Sequence, residues 1–102
     1  MIHITANDRW DLEIRGHADW APVGQDIVCA AVSALADTYA AAARDLNAGL
    51  HLRQGPGLMQ IRIVGLPLRS RRELDAVRAA ILTGLGRLAQ AYPDRVRIHY
   101  GA

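Results

Sequence analysis

The apolar residues of this chain switch between two periods, and that switching restricts the fold more than any single residue does. Ile2 and Ile4 alternate with His3 and Thr5, the period of a strand with one face buried. Asn7-Asp8 supplies turn chemistry. Trp10, Leu12 and Ile14 then alternate with Asp11, Glu13 and Arg15, which predicts a hairpin ending at Gly16-His17 and puts Trp10 in the core. From Asp26 to about Asn47 the spacing turns helical, with Val28, Val32, Leu35, Tyr39, Ala42 and Leu46 on one stripe and alanines beside it. Small flanking residues let such a helix lie close to a sheet. Asn47 and Gly49 supply stop chemistry.

The same alternation then repeats. Leu50 and Leu52 begin a third strand, Gln54-Gly55-Pro56-Gly57 turns, and Met59, Ile61 and Ile63 make a fourth. Ser70-Arg71-Arg72-Glu73 has the pattern of a capping box. Behind it Leu74, Val77, Ile81, Leu85, Leu88 and Tyr92 form a second helical stripe. Gly84 and Gly86 each cost about 1 kcal/mol inside a helix relative to alanine, so close packing is expected at both. Pro93 stops the helix, and Val96, Ile98 and Tyr100 form a last strand.

The order is ββαββαβ. Every strand has one apolar and one polar face, so the fold class is α+β. One mixed or antiparallel sheet carries both helices on the same side. The uncovered face presents His3, Glu13, Arg15, His51, Arg53, Arg62, Arg97 and His99, and is either solvated or used by a partner. A chain of 102 residues supports one modest core, so a single domain over 1–102 is expected. With five aromatics and no phenylalanine, that core must be aliphatic and closely spaced.

Function classes narrow by exclusion. A single cysteine forbids an internal disulfide and makes a zinc site unattractive, so neither a metal nor another cofactor is expected. His3, His51 and His99 alternate with apolar strand residues and read as a solvated face. Gly55-Pro56-Gly57 lacks the lysine of a phosphate loop. No apolar run approaches a membrane span and no basic leader precedes the first strand, so a cytoplasmic protein without membrane contact is expected. All twelve basic residues are arginine, which reads as genome composition rather than function. Arg69, Arg71 and Arg72 cluster at a helix start and read as solvated surface or an anion contact.

One pair of residues points to chemistry. Cys29 falls in the first turn of the predicted helix, where free amides and the helix dipole favour a thiolate. His17, twelve residues upstream at a strand end, is of the right type to take the thiol proton and return it to a leaving amine. Asp26 opposes a thiolate unless its side chain caps the helix or bonds to His17, and Ser33 lies one turn after Cys29 on the same side. Equally, a cysteine among Ile27, Val28, Ala30 and Ala31 can be a small buried hydrophobe. Residue types alone leave both readings open.

Gly16-His17-Ala18, Gly24-Gln25-Asp26-Ile27-Val28-Cys29-Ala30 and Ser33 together resemble the signature of the ribosomal-processing cysteine protease family, Prp. The element order along the whole chain resembles it too, through the closing Tyr92-Pro93 to Tyr100 segment. The resemblance implies a dyad of nucleophile Cys29 and base His17, with Asp26 and Ser33 in supporting roles. It implies a compact homodimer that removes a short N-terminal extension from a large-subunit ribosomal protein, or cuts a similar segment in a phage protein. No nucleic acid is required. The loop Ala18 to Gln25 would order over substrate, Gly24 suiting its hinge and Trp20 a contact to an apolar side chain. The competing expectation is a non-catalytic module that binds ribosome or RNA through the arginine-bearing sheet face.

Overall fold

The computed structural model describes residues 1–16 and 27–101. The elements run β1 (Ile2–Ala6), β2 (Leu12–Arg15), α1 (Ile27–Asp45), β3 (Gly49–Gly55), β4 (Leu58–Gly65), α2 (Arg71–Ala91) and β5 (Val96–Tyr100), the expected ββαββαβ order. A short 3-10 turn, Leu68–Ser70, leads into α2. The sheet order is β3-β4-β2-β1-β5. All pairings are antiparallel except β1 with β5, so the sheet is mixed. Both helices are crossover connections: α1 joins β2 to β3 past β4, and α2 joins β4 to β5 past β2 and β1.

The period-2 pattern decides which face is covered. Ile2, Ile4, Ala6, Leu12, Ile14, Met59, Ile61 and Val96 point to the helix side and are buried. They meet Val28, Val32, Ala36, Tyr39, Ala40 and Ala43 of α1 and Leu74, Ile81 and Leu85 of α2. The other face is open to solvent. The alanines serve close approach as expected, although Ala36, Ala40 and Ala43 are buried while Ala42 is only half-buried.

Local signals explain the element ends. α1 closes with Asn47 at φ 65°, its N–H bonding to the Arg44 carbonyl (3.0 Å) and that of Ala48 to Ala43 (3.0 Å). This is the paired arrangement of a left-handed helix stop. Pro56 and Gly57 (φ 71°) make the two-residue turn between β3 and β4. Asn7 bends the β1–β2 connection by accepting from the N–H groups of Arg9 (2.9 Å) and Asp11 (3.1 Å).

Four expectations are corrected. Trp10 precedes β2 at φ 69°, half-buried, its indole N–H donating to Asp75 (2.6 Å) with Arg71 6.0 Å above the ring. An indole has a donor to satisfy, so it sits at the core edge. The capping box does not form: Ser70 has helical dihedrals because the 3-10 turn runs straight into α2. Its buried hydroxyl instead donates to the Leu46 carbonyl (2.8 Å), tying α2 to the end of α1. Close packing holds at Gly84, whose added Cβ would lie 3.1 Å from Leu35, whereas nothing lies within 4 Å of one at Gly86. Finally, α1 is long and apolar enough to cross a membrane by length and composition, because its alanines raise hydropathy without bulk. Val28, Val32 and Tyr39 are buried in the core and Leu35 packs against it, while Ile27 at the start of α1 is exposed.

Candidate active site

Cys29 is the third residue of α1 and is half-buried against the core. It opens onto a cleft of about 350 Å³ between α1 and the β3–β4 hairpin. Ile2, Ile14 and Met59 line its apolar floor, and Gln54, Gly55, Pro56, Gly57 and Leu58 form the hairpin wall. Along α1 the wall is Cys29, Val32, Ser33 and Asp37. Residues four apart share a helix face, so Cys29, Ser33 and Asp37 form one column into the cleft. Asp37 lies about 12 Å along the axis from Cys29. It is the only charged side chain among the described residues lining the cleft.

Gly16 also lines the cleft, at the end of β2. Its φ is 97°, and a Cβ there would collide with the Met1 carbonyl oxygen, so no other residue fits without moving backbone. Its N–H donates to the Gly57 carbonyl (2.9 Å), which joins the strand end to the hairpin wall. The hairpin, β2 and the start of α1 are thus held around one space.

The structure brings Cys29 and Ser33 of the expected set to this cleft. His17, Trp20, Gly24 and Asp26 lie outside the described residues. Asp37 was missed by sequence reasoning, though its place two turns after Cys29 on the Ser33 column was legible. The hairpin wall was read only as a turn. Its contribution depends on β3 and β4 extending beyond α1, which no local pattern reveals. Among the described residues no group of three or more His, Cys, Asp or Glu side chains could hold a metal ion.

Solved structures share this fold over nearly the full chain. The essential ribosomal processing protease Prp from S. aureus, in complex with a covalently linked product peptide, is 27% identical with a TM-score of 0.78, covering 98% of this chain and 97% of that one. The same S. aureus protease in complex with a substrate peptide gives 26% and 0.75 over the same shares. SMU.848 from Streptococcus mutans is 30% identical with a TM-score of 0.79, covering 98% of this chain and 93% of that one. No match was found among curated protein sequences. Fold and relatives define the class: an α+β cysteine-type peptidase. Residues 1–97 match the family model described as cysteine protease Prp, and the chain belongs to that family.

Proposed function

We propose that Cys29 is the nucleophile and His17 the general base of a peptidase whose substrate lies in the cleft between α1 and the β3–β4 hairpin. The observation that carries this is the position of the chain's one cysteine: in the first turn of a helix, at the wall of a cleft of about 350 Å³. First-turn amides and the helix dipole favour the thiolate there. His17 is covalently next to Gly16, which lines the same cleft.

The thiolate attacks the scissile carbonyl carbon, and the oxyanion is met by first-turn amides. The bond to nitrogen breaks as the imidazolium gives its proton to the leaving amine, leaving a thioester on Cys29. Water, losing a proton to His17, then cleaves the thioester to a carboxylate and regenerates the thiol. Asp26 and Ser33 support the dyad, and Trp20 and Gly24 belong to a segment that closes over substrate. Asp37 sits about 12 Å from the thiol, the span of three to four extended residues, and suits a basic side chain at that distance from the scissile bond.

The substrate we infer is a short N-terminal extension of a large-subunit ribosomal protein, or a phage protein carrying a similar segment. The S. aureus relative, described as a ribosomal processing protease, supports this. The enzyme acts as a homodimer in the cytoplasm and needs no cofactor. Incubation with the host ribosomal protein, followed by mass measurement, should show loss of an N-terminal segment. Cys29→Ala and His17→Ala should each abolish it while keeping the thermal unfolding midpoint. An unchanged cleavage rate in Cys29→Ala would refute the mechanism.

A further inference from the structure

Peptide cleavage leaves the open face of the sheet unused, opposite the helices and the cleft. Strand register arranges its side chains. On β3 and β4, His51 is paired with Arg62, and Arg53 with Gln60. On β1 and β5, His3 is paired with Arg97, and Thr5 with His99. Two exposed banks result: His51, Arg53 and Arg62 at one edge, and at the other Arg97 with His3 and His99, whose rings share a hydrogen bond (3.2 Å). Strands spaced about 4.8 Å apart, with Arg62 offset four residues and Arg53 two residues along the strands from the row of Arg97, put Arg97 roughly 20 Å from each. Between the banks lies a shallow depression of about 180 Å³ lined in part by Thr5, Glu13 and Gln60.

The charges on these banks are available. Arg15 is held by Glu13 (2.8 Å), but Arg53, Arg62 and Arg97 have no ion-pair partner among the described residues. The face carries four arginines against Glu13 and the marginal Asp11, so it holds a positive charge equal to the +2 of the whole chain. Asp11 is already occupied by the Ile63 N–H (2.9 Å) and the Asn7 amide (3.1 Å).

We propose that this face binds duplex RNA through its phosphate backbone. Arg53 and Arg62 on one side of a shallow polar floor, and Arg97 beside His3 and His99 on the other, match two phosphate strands across the wide, shallow minor groove of an A-form helix. The B-DNA minor groove, about 6 Å wide, is too narrow for that spacing, and a flat sheet cannot enter the deep major groove. The Thr5 hydroxyl and the Gln60 side-chain carbonyl supply a donor and acceptors for 2′-hydroxyls, Glu13 being held by Arg15 (2.8 Å) and the Gln60 amide (2.9 Å). Single-stranded RNA is disfavoured because no Phe, Tyr or Trp stands on this face, and its two neighbouring imidazoles, His3 and His99, stack on each other (centroids 5.4 Å); Tyr100 follows Val96 and Ile98 toward the helix side.

The test is fluorescence anisotropy of a labelled mixed-sequence RNA duplex as a function of salt. Three neutralised phosphates give a log–log slope of about −2.7, so affinity falls about 40-fold between ~50 and 200 mM salt. The triple variant Arg53→Gln, Arg62→Gln, Arg97→Gln should bring the slope close to zero. The control triple Arg69→Gln, Arg72→Gln, Arg87→Gln on the helix side should keep it. Thermal unfolding establishes that both variants fold. B-form DNA should bind more weakly than RNA at every salt concentration. The proposal falls if the sheet variant binds like the parent, or if the control loses binding equally. It falls also if DNA matches RNA, or if poly-glutamate displaces RNA as well as an unlabelled duplex does, which would assign the face to an acidic protein.

Discussion

Replacing Gly16 by alanine tests the fold and the catalytic proposal together. At φ 97° an L-residue is strained by about 1–3 kcal/mol. The new Cβ would also overlap the Met1 carbonyl oxygen, with the carbonyl carbon at 3.3 Å, and both are backbone, so no side chain can swing away. Relief requires β2's end to shift against β1, weakening the 2.9 Å bond from Gly16 to Gly57, which contributes about 1 kcal/mol. Together these give a loss of about 2–4 kcal/mol, or a Tm lower by roughly 10–25 °C for a domain of this size. A domain starting with about 5–15 kcal/mol stays folded at room temperature. Urea unfolding followed by tryptophan fluorescence measures the change, with Gly55→Ala as control because nothing lies within 4 Å of its Cβ. A shifted Gly16 carries His17 with it, and a displacement near 1 Å can cost about 100-fold in rate. Peptide cleavage should therefore fall far more than the unfolded fraction explains. Gly16→Ala with parental stability, or with full activity despite lost stability, would refute the reasoning.

Other outcomes follow from particular contacts. Tyr39 is buried and donates its hydroxyl to the Trp10 carbonyl (2.5 Å), and burial, the largest cause, pushes its phenol well above the usual range, so it stays a neutral donor. Tyr39→Phe should cost about 1–3 kcal/mol in urea unfolding, by leaving that carbonyl without its partner. Gly86→Ala should stabilise by about 1 kcal/mol, while Gly84→Ala should gain less or lose stability because its methyl meets Leu35 at 3.1 Å. Hydrogen bonding from Arg15 lowers the Glu13 carboxyl below its ordinary value. A depressed folded value contributes stability above the ordinary carboxylate range and loses it as pH falls through the folded value. Glu13→Gln should accordingly lower the unfolding midpoint at pH 7, converge with the parent in acid, and differ less in high salt.

Element order, strand faces and the stop at Asn47 were legible because each rests on local periodicity or one residue's backbone preference. Cys29 and Ser33 were legible as a helical column for the same reason. The errors fell where a neighbour distant in sequence took over. Ser70 bonds Leu46 instead of its own helix, Trp10 is drawn to Asp75, and Gly86 faces open space while Gly84 meets Leu35.

By itself the sequence determined a two-layer α+β chain with both helices on one side of the sheet and a cysteine at a helix start. Hydrophobic alternation dictates which face each strand buries, whatever its neighbours are. Only the tertiary structure decided the strand order, and with it the cleft. β3 and β4 pair outside β2, so their hairpin projects beside α1 and leaves a space that Cys29, Ser33 and Asp37 line. The same pairing sets the two banks apart on the opposite face. Register and crossover are collective choices among strands remote in sequence, and no local pattern encodes them.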